Sequence, residues 1–260
     1  MATFADVLEQ NAVLAPLRGV ARAAALQDGK LVHLSLRETV YKPRTRIRTV
    51  FFPISCVISV VSHMRDGTMI EIGTIGREGM TGIPLLVGMN ATANNNFCQV
   101  GGTAWQMSLS LFCKLLGSSS KFRESTGRFL QGYLNMLGQQ VACNQLHRVH
   151  ERTARWILMT RDRVDEDTIP LTQEFLSTML GARRSSVTIA ATALQKAGLI
   201  RYSRGHITVV DRAGLEEQTC ECYAITAKHF ADARSLRFHY GRRKNGQRVR
   251  APRLKPGPRA

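Results

Sequence analysis

Between Leu31 and Met107 the apolar residues fall in short runs broken by turn residues. Val50-Phe51-Phe52-Pro53 leads into Cys56-Val57-Ile58-Ser59-Val60-Val61, and Arg65-Asp66-Gly67-Thr68 separates that run from Met69-Ile70-Glu71-Ile72-Gly73. An Asp-Gly pair between β-prone runs predicts a hairpin, and several short strands at close spacing predict a sandwich or roll. The period changes near Lys121. Phe122, Phe129, Tyr133, Met136 and Cys143 fall on one face of a helix, and Leu130, Leu134, Leu137 and Val141 fall on another. A helix that is apolar on two sides needs two partners. One is its own β domain; the other is the same helix of a second subunit, which makes an isologous homodimer. The expected dimer contact draws on Phe129, Leu130, Tyr133, Leu134, Met136, Leu137 and Val141. Gly127, Gly132 and Gly138 each cost about 1 kcal/mol against alanine inside a helix, so they mark either close backbone approach or kinks.

A second helix is predicted from about Glu151 to Asp162 and ends at the acidic turn Asp165-Glu166-Asp167. The next stretch, LTQEFLSTMLGARRSSVTIAATALQKAGLIRYSRGHITVVDRAG, is the most informative in the chain. Thr172 is placed to cap a short helix running through Leu180. Gly181 permits the left-handed backbone that a tight turn between helices uses. A further helix, from about Arg183 to Lys196, has Val187, Ala190, Ala191 and Leu194 as its inward face, and Gly198 terminates it. This is the pattern of a helix-turn-helix, which presents its second helix to a DNA major groove. Leu199-Ile200-Arg201-Tyr202 and His206-Ile207-Thr208-Val209-Val210 flank Ser203-Arg204-Gly205 and predict a hairpin wing. Arg183, Arg184, Ser185, Ser186 and Thr188, at the exposed start of the second helix, are residue types that donate to guanine edges or phosphates.

Charge sharpens this picture. The chain has 260 residues, 36 Lys+Arg against 19 Asp+Glu and a net charge of +17, which points to a polyanionic partner. Ten of those excess charges lie between Ala233 and Ala260, where no acid occurs and Pro252, Pro256 and Pro258 discourage packing. That segment is expected to be a disordered basic tail, either a nucleic-acid-contacting arm or a solubilising extension. With 44% hydrophobic residues the remainder has material for folded domains, and no apolar run approaches the roughly 20 residues of a membrane span. The start of the chain lacks the pattern of a secretion signal, so a cytoplasmic location is expected.

Candidate chemistry elsewhere is sparse. The six cysteines are scattered and are expected to act as small apolar residues in a reducing compartment. Cys220 and Cys222, with His229 seven residues on, do not complete a tetrahedral ligand set by themselves, and His147 and His150 are expected to be structural. The alternating cations Lys42, Arg44, Arg46 and Arg48 read as the solvated face of a strand. Leu215, Tyr223 and Phe230 suggest a short helix after the wing, packing on the DNA-binding domain. No nucleophile, phosphate-loop or paired-carboxylate pattern is present, so neither enzymatic activity, nor a metal, nor a cofactor is expected.

The chain resembles the Crp/Fnr superfamily of bacterial transcription regulators from about Leu14 to Leu215. The residues that carry the resemblance are YKPRTRIRTVFFPISCVIS and IGREGMTG in the first half, and LTQEFLSTMLGARRSSVTIAATALQKAGLI with YSRGHITVVDRAGLE in the second. The resemblance implies an α+β chain. Its parts would be an N-terminal jelly-roll-like β-roll (1–117), a long dimerisation helix (118–146), a winged helix-turn-helix (147–215), a short C-terminal helix (216–232) and the basic tail (233–260). It implies a homodimer bound to an inverted repeat in double-stranded DNA, with RNA polymerase as a protein partner. By resemblance Arg184 takes the place of a guanine-reading arginine, Thr172 that of a phosphate-contacting cap, and Arg204 that of a wing residue near phosphate. Gln173, Ser185 and His206 complete the expected DNA-contacting set with Arg183, Ser186 and Thr188. Ser185 stands where the family commonly has glutamate, and Ile189 where it has a second polar reader, so the family's usual half-site is not assumed. Members that bind a cyclic nucleotide use a glutamate for the ribose and an arginine for the phosphate. Here Ile83 and the run Ala93-Asn94-Asn95-Asn96 stand in that region, so cyclic AMP is not the expected effector. The N-terminal cysteines of iron–sulfur members are also missing. Two rival readings stay open: a cyclic-nucleotide-gated regulator with a rearranged pocket, and a non-specific polyanion- or RNA-binding protein that uses the tail.

Overall fold

The computed structural model describes residues 4–235, except 165. Helices α1 (Phe4–Glu9) and α2 (Gly19–Asp28) precede strands β1 (Lys30–Leu34), β2 (Thr39–Tyr41), β3 (Thr49–Pro53), β4 (Val57–His63), β5 (Met69–Ile75), β6 (Asn95–Val100) and β7 (Gly102–Ser108). The strands pair antiparallel in two sheets, ordered β1-β7-β3 and β2-β6-β4-β5. The Asp66-Gly67 hairpin joins β4 to β5: the Thr68 N–H donates to Asp66 Oδ1 at 2.9 Å, and Gly67 takes φ +85°. One prediction fails here. Lys42, Arg44, Arg46 and Arg48 are exposed, but Pro43-Arg44 is a turn, and Arg44 takes φ +61°, so they do not alternate along one strand.

The core between the sheets is aromatic at its centre. Phe52 faces Trp105 across the β3–β7 ladder, and both are fully buried. Helices α3 (Leu109–Ser118) and α4 (Ser120–Leu146) close over them. Ser108 and Ser119 cap the two helices by accepting from Leu111 N and Phe122 N. Phe122, in the first turn of α4, meets Phe52 at a tilt and Phe112 edge-on, with ring centroids 6.1 and 5.6 Å apart. Burial of each such ring contributes about 1.5–3 kcal/mol. The chain before the roll is held by the buried Asn11, whose Nδ2 donates to Pro53 O and Gly79 O and whose Oδ1 accepts from Val13 N and Leu14 N.

The two predicted faces of α4 have unlike surroundings. Phe129, Tyr133 and Met136 are buried in the core of their own chain, so they are not surface residues at all. This corrects the expectation that they contribute to a subunit contact: their side chains fill space against the roll, where a Cβ on Gly79 would run into the Phe129 ring. Leu134 and Val141, by contrast, are 53% and 67% exposed, with Leu130 and Leu137 half-buried beside them.

Helix α5 (Val149–Val164) leads to β8 (Thr168–Pro170), α6 (Gln173–Leu180), α7 (Arg184–Lys196), β9 (Ile200–Ser203), β10 (His206–Val209), α8 (Arg212–Glu217) and α9 (Cys222–Ser235). The single short helix expected after the wing over 216–232 is therefore two helices, and α9 lies along α4 as well as touching α5. Its length follows from an Ala- and Lys-containing run without Gly or Pro. Residues 233–235 of the expected disordered tail are instead the last of α9, and the rest of the tail, 236–260, lies outside the described residues.

Helices α5 and α6 dock on the outer face of the β4–β6 sheet. Val57, Val61, Phe97 and Val100 share one apolar cluster with Trp156, Ile157, Leu176 and Met179, and Phe97 meets Phe175 edge-on at 6.0 Å. Two buried glutamates anchor this contact. Glu78 of the IGREG run accepts from Arg163 Nε and Nη2, both at 2.9 Å, and from Gly76 N at 3.0 Å. Burial pushes its pKa up, but the Arg163 charge and hydrogen bonds outweigh that and hold it below the usual carboxylate value. Glu71 accepts from Ser59 Oγ at 2.6 Å and Trp156 Nε1 at 2.9 Å. With no arginine bonded to it, burial prevails over these hydrogen bonds and raises it to about 7.

Candidate nucleic-acid interface

The helix-turn-helix is built by caps and one glycine. Thr172 precedes α6 in extended conformation, and its Oγ1 accepts from Phe175 N at 3.1 Å. Leu176, Met179 and Leu180 turn inward. Gly181 then takes φ +57°, a left-handed conformation that favours glycine, and packs close to Ile70 of the roll. Helix α7 follows, with Val187, Ala190, Ala191 and Leu194 buried, as its pattern predicts. Arg183 is its N-cap, with no side-chain capping bond.

The outward face of α7 starts with Arg183, Arg184 and Ser185, all exposed, and continues through the half-buried Ser186 and Thr188 to Ile189, which is 71% exposed. Thr188 is less free than its neighbours. Its hydroxyl donates toward Gln173 Oε1 at 2.8 Å and lies 3.0 Å from Arg184 O, so Thr188 and Gln173 tie α7 to the start of α6.

The wing is a two-residue hairpin. Arg204 and Gly205 take φ +48° and +78°, the pair of positive angles of a type I′ turn, which matches the twist of the flanking strands. Arg204 and His206 are exposed at its tip, and Leu171 N donates to Gly205 O at 2.7 Å. The wing tip is thereby fixed beside Thr172. Sequence reasoning missed three supports: β8, which adds a third strand through the pairing of Ile169 with Ile207; Tyr202, whose OH accepts from Gln173 N at 3.0 Å; and Gln195, whose Oε1 accepts from Tyr202 N at 2.7 Å. Only β8 left a trace in the sequence, the apolar Ile169 before Pro170.

Thr172, Arg183, Arg184, Ser185, Arg204 and His206 thus form one exposed, cation-bearing surface on three adjacent elements. Residues 151–218 match the model of the Crp-like helix-turn-helix domain. The fold as a whole is similar to that of a chain from Eubacterium rectale ATCC 33656 assigned to the Crp/Fnr family of transcriptional regulators. It is 14% identical, with a TM-score of 0.62 over 81% of this chain and 98% of that one. Residues 151–218 are therefore a Crp-like helix-turn-helix domain, in a chain whose fold is similar to that of Crp/Fnr regulators.

Two further solved structures have a similar fold. FixK2 of Bradyrhizobium japonicum matches at 14% identity and a TM-score of 0.62, over 74% of this chain and 98% of its own. A Crp-family transcriptional regulator of Thermus thermophilus matches at 19% and 0.61, over 72% and 95%. No curated protein matches the sequence. In the β-roll, Ile83 begins a single 3₁₀ turn, Ile83–Val87, and no helix among the described residues is long and apolar enough to cross a membrane.

Proposed function

We propose that the chain works as a homodimer that reads an inverted-repeat operator in double-stranded DNA, each α7 entering one of two successive major grooves. The observation that carries this reading is the exposed Arg183-Arg184-Ser185 start of α7, held between the Thr172-capped α6 and the Arg204 wing tip. Arg184 reads a guanine edge, and Ile189 meets a thymine methyl, which suits an apolar side chain in the groove. Thr172, Arg204 and His206 take phosphates and so set affinity rather than sequence. Gln173 and Thr188 act mainly by holding the two helices together.

In this reading residues 1–117 are a sensor or scaffold, 118–146 the dimer helix, and 147–215 the DNA reader, with RNA polymerase as the protein partner. The subunit contact narrows to the outward stripe of Leu130, Leu134, Leu137 and Val141, where Gly127 and Gly138 have open space beside them for a second helix. The roll is given no cyclic-nucleotide role, since Ile83 and residues 93–96 supply neither a carboxylate nor a guanidinium. Selection of bound duplexes from a random pool, read by sequencing, tests the whole. A two-fold symmetric motif with half-sites about one helical turn apart is expected. An asymmetric motif, or none, overturns the reading, and so does cyclic AMP binding that tightens operator affinity.

A further inference from the structure

Where the end of α4 meets the start of α9, four metal-ligating side chains lie together that the proposed DNA contacts do not use. Cys143 lies in the last turn of α4, and His147 follows as its C-cap, one turn on along the same face. Cys220 sits in the loop after α8, and Cys222 is the first residue of α9. Two segments 77 residues apart therefore bring three sulfurs and one imidazole together, with all four ligand atoms within 4.8 Å of one another. We infer that Cys143, His147, Cys220 and Cys222 bind one zinc ion, through three thiolates and the His147 Nδ1.

Geometry supports this first. Zinc takes thiolate at about 2.3 Å and imidazole at about 2.0–2.1 Å in a tetrahedron, whose edges are then roughly 3.7 Å between two sulfurs and 3.5 Å between sulfur and nitrogen. Cys143 Sγ lies 3.6 Å from Cys220 Sγ, and Cys222 Sγ lies 3.5 Å from His147 Nδ1. The spacing is too long for a disulfide, whose sulfurs are about 2.05 Å apart.

Packing supports it independently. Cysteines that merely fill an apolar core have apolar neighbours. Cys143, Cys220 and Cys222 are buried in a cluster of their own, separate from both large apolar cores of the molecule. Burial area alone gives no reason for these three residues to converge.

The surrounding groups are those that hold a ligand set in place. His147 Nε2 lies 3.1 Å from the Glu221 carboxylate, which keeps the proton on Nε2 and leaves the Nδ1 lone pair facing the sulfurs. Gln139 Nε2 donates to Cys222 Sγ at 3.0 Å. Three thiolates around Zn²⁺ leave one negative charge, and Arg152 and Arg155 of α5 lie within electrostatic reach of Cys143 to offset it. Loading the site from three thiols releases three protons to solvent and changes no oxidation state. His150 stays outside the set and meets Gln218 Oε1 at 3.0 Å. With four protein ligands the site has no open position, so its role is to bind the end of α4 to the start of α9.

Metal analysis of the purified full-length chain tests this, with one zinc per chain expected. Chelator-stripped protein titrated with Co²⁺ should show the visible bands of tetrahedral cobalt and a thiolate charge-transfer band, saturating at one equivalent. Cys143→Ser, His147→Ala and Cys222→Ser should each lose zinc, whereas Cys113→Ser, on an exposed cysteine of α3, should keep it. Zinc content unchanged in the three ligand variants overturns the assignment. The cobalt titration of the unaltered chain needs no variant to fold: absence of the thiolate band also overturns it, as does iron with inorganic sulfide in place of zinc. DNA selection with the same preparations is scored separately, so the operator reading and the zinc site fail independently.

Discussion

Arginines on two sides of the DNA-binding domain show opposite uses of one residue type. Arg183, Arg184 and Arg204 point into solvent around the start of α7 and the wing tip, while in α5 Arg163 is buried against Glu78 of the roll and Arg155 against Gln140 of α4 and Thr226 of α9. An exposed guanidinium keeps its hydration and is available to an incoming phosphate or base edge. A buried one has given up that hydration and is tolerable only with a partner, which for Arg163 is Glu78. The net charge of the chain counts both kinds alike. Their settings separate binding from stability, so substitutions on the outer side should change DNA recognition and leave folding intact, and those on the inner side should do the reverse.

The largest break of that contrast is Glu78→Ala. It strands Arg163 in the docking contact and should destabilise the chain by about 3–5 kcal/mol in a urea unfolding experiment. Adding Arg163→Met should recover most of the loss. A Glu78→Ala variant as stable as the parent would mean that the two elements are not held together as described.

Glu71→Gln should act in the other direction, and only at higher pH. Because the folded carboxyl titrates near 7 instead of near 4.5, the native state holds its proton more tightly than the unfolded chain does. Stability from this group is therefore full below pH 4.5 and falls as pH rises to 7. The glutamine variant should match the parent at pH 4.5 and exceed it above pH 7, by on the order of 3 kcal/mol. Glu78, with its pKa lowered, works with the opposite sign in both proteins and cancels in the difference. Parallel stability curves for the two proteins would remove Glu71 as the cause.

On the outer side the expected effects are smaller and fall on DNA alone. Arg184→Ala should leave unfolding unchanged and lower discrimination at one or two base pairs by about 1–3 kcal/mol. Equal weakening on operator and random duplex would demote Arg184 to a phosphate contact. Arg204→Ala should do what Arg184→Ala should not: weaken binding to all sequences similarly and reduce the slope of log affinity against log salt by about 1.

Legibility follows the same division. The helix-turn-helix and wing are contiguous, so caps, a turn glycine and a helical period specify them locally: Thr172, Gly181, the α7 face and the Arg204-Gly205 turn are all found where the pattern puts them. The strands around Gly67 are legible for the same reason. What depends on distant segments was not. Apolar residues on two sides of α4 do not say which side meets its own roll, and Phe129, Tyr133 and Met136 prove to be the inward ones. Glu71 looks partnerless in the sequence because Ser59 and Trp156 are 12 and 85 positions away. Cys220 and Cys222 point in sequence to His229, whereas His147 and Cys143 meet them only because α9 returns to α4.

That return has a mechanical consequence. A domain hung from a single linker swivels in every direction about one point. Here the polypeptide enters the DNA-binding domain from α4 through α5 and leaves it along α9, which lies back against α4, so the domain is attached at both its beginning and its end. The two attachments lie side by side, with Cys143 Sγ 3.6 Å from Cys220 Sγ, so they pin one end of the domain to α4. A load taken up by α7 on DNA therefore reaches α4 by two routes, through α5 and through α9.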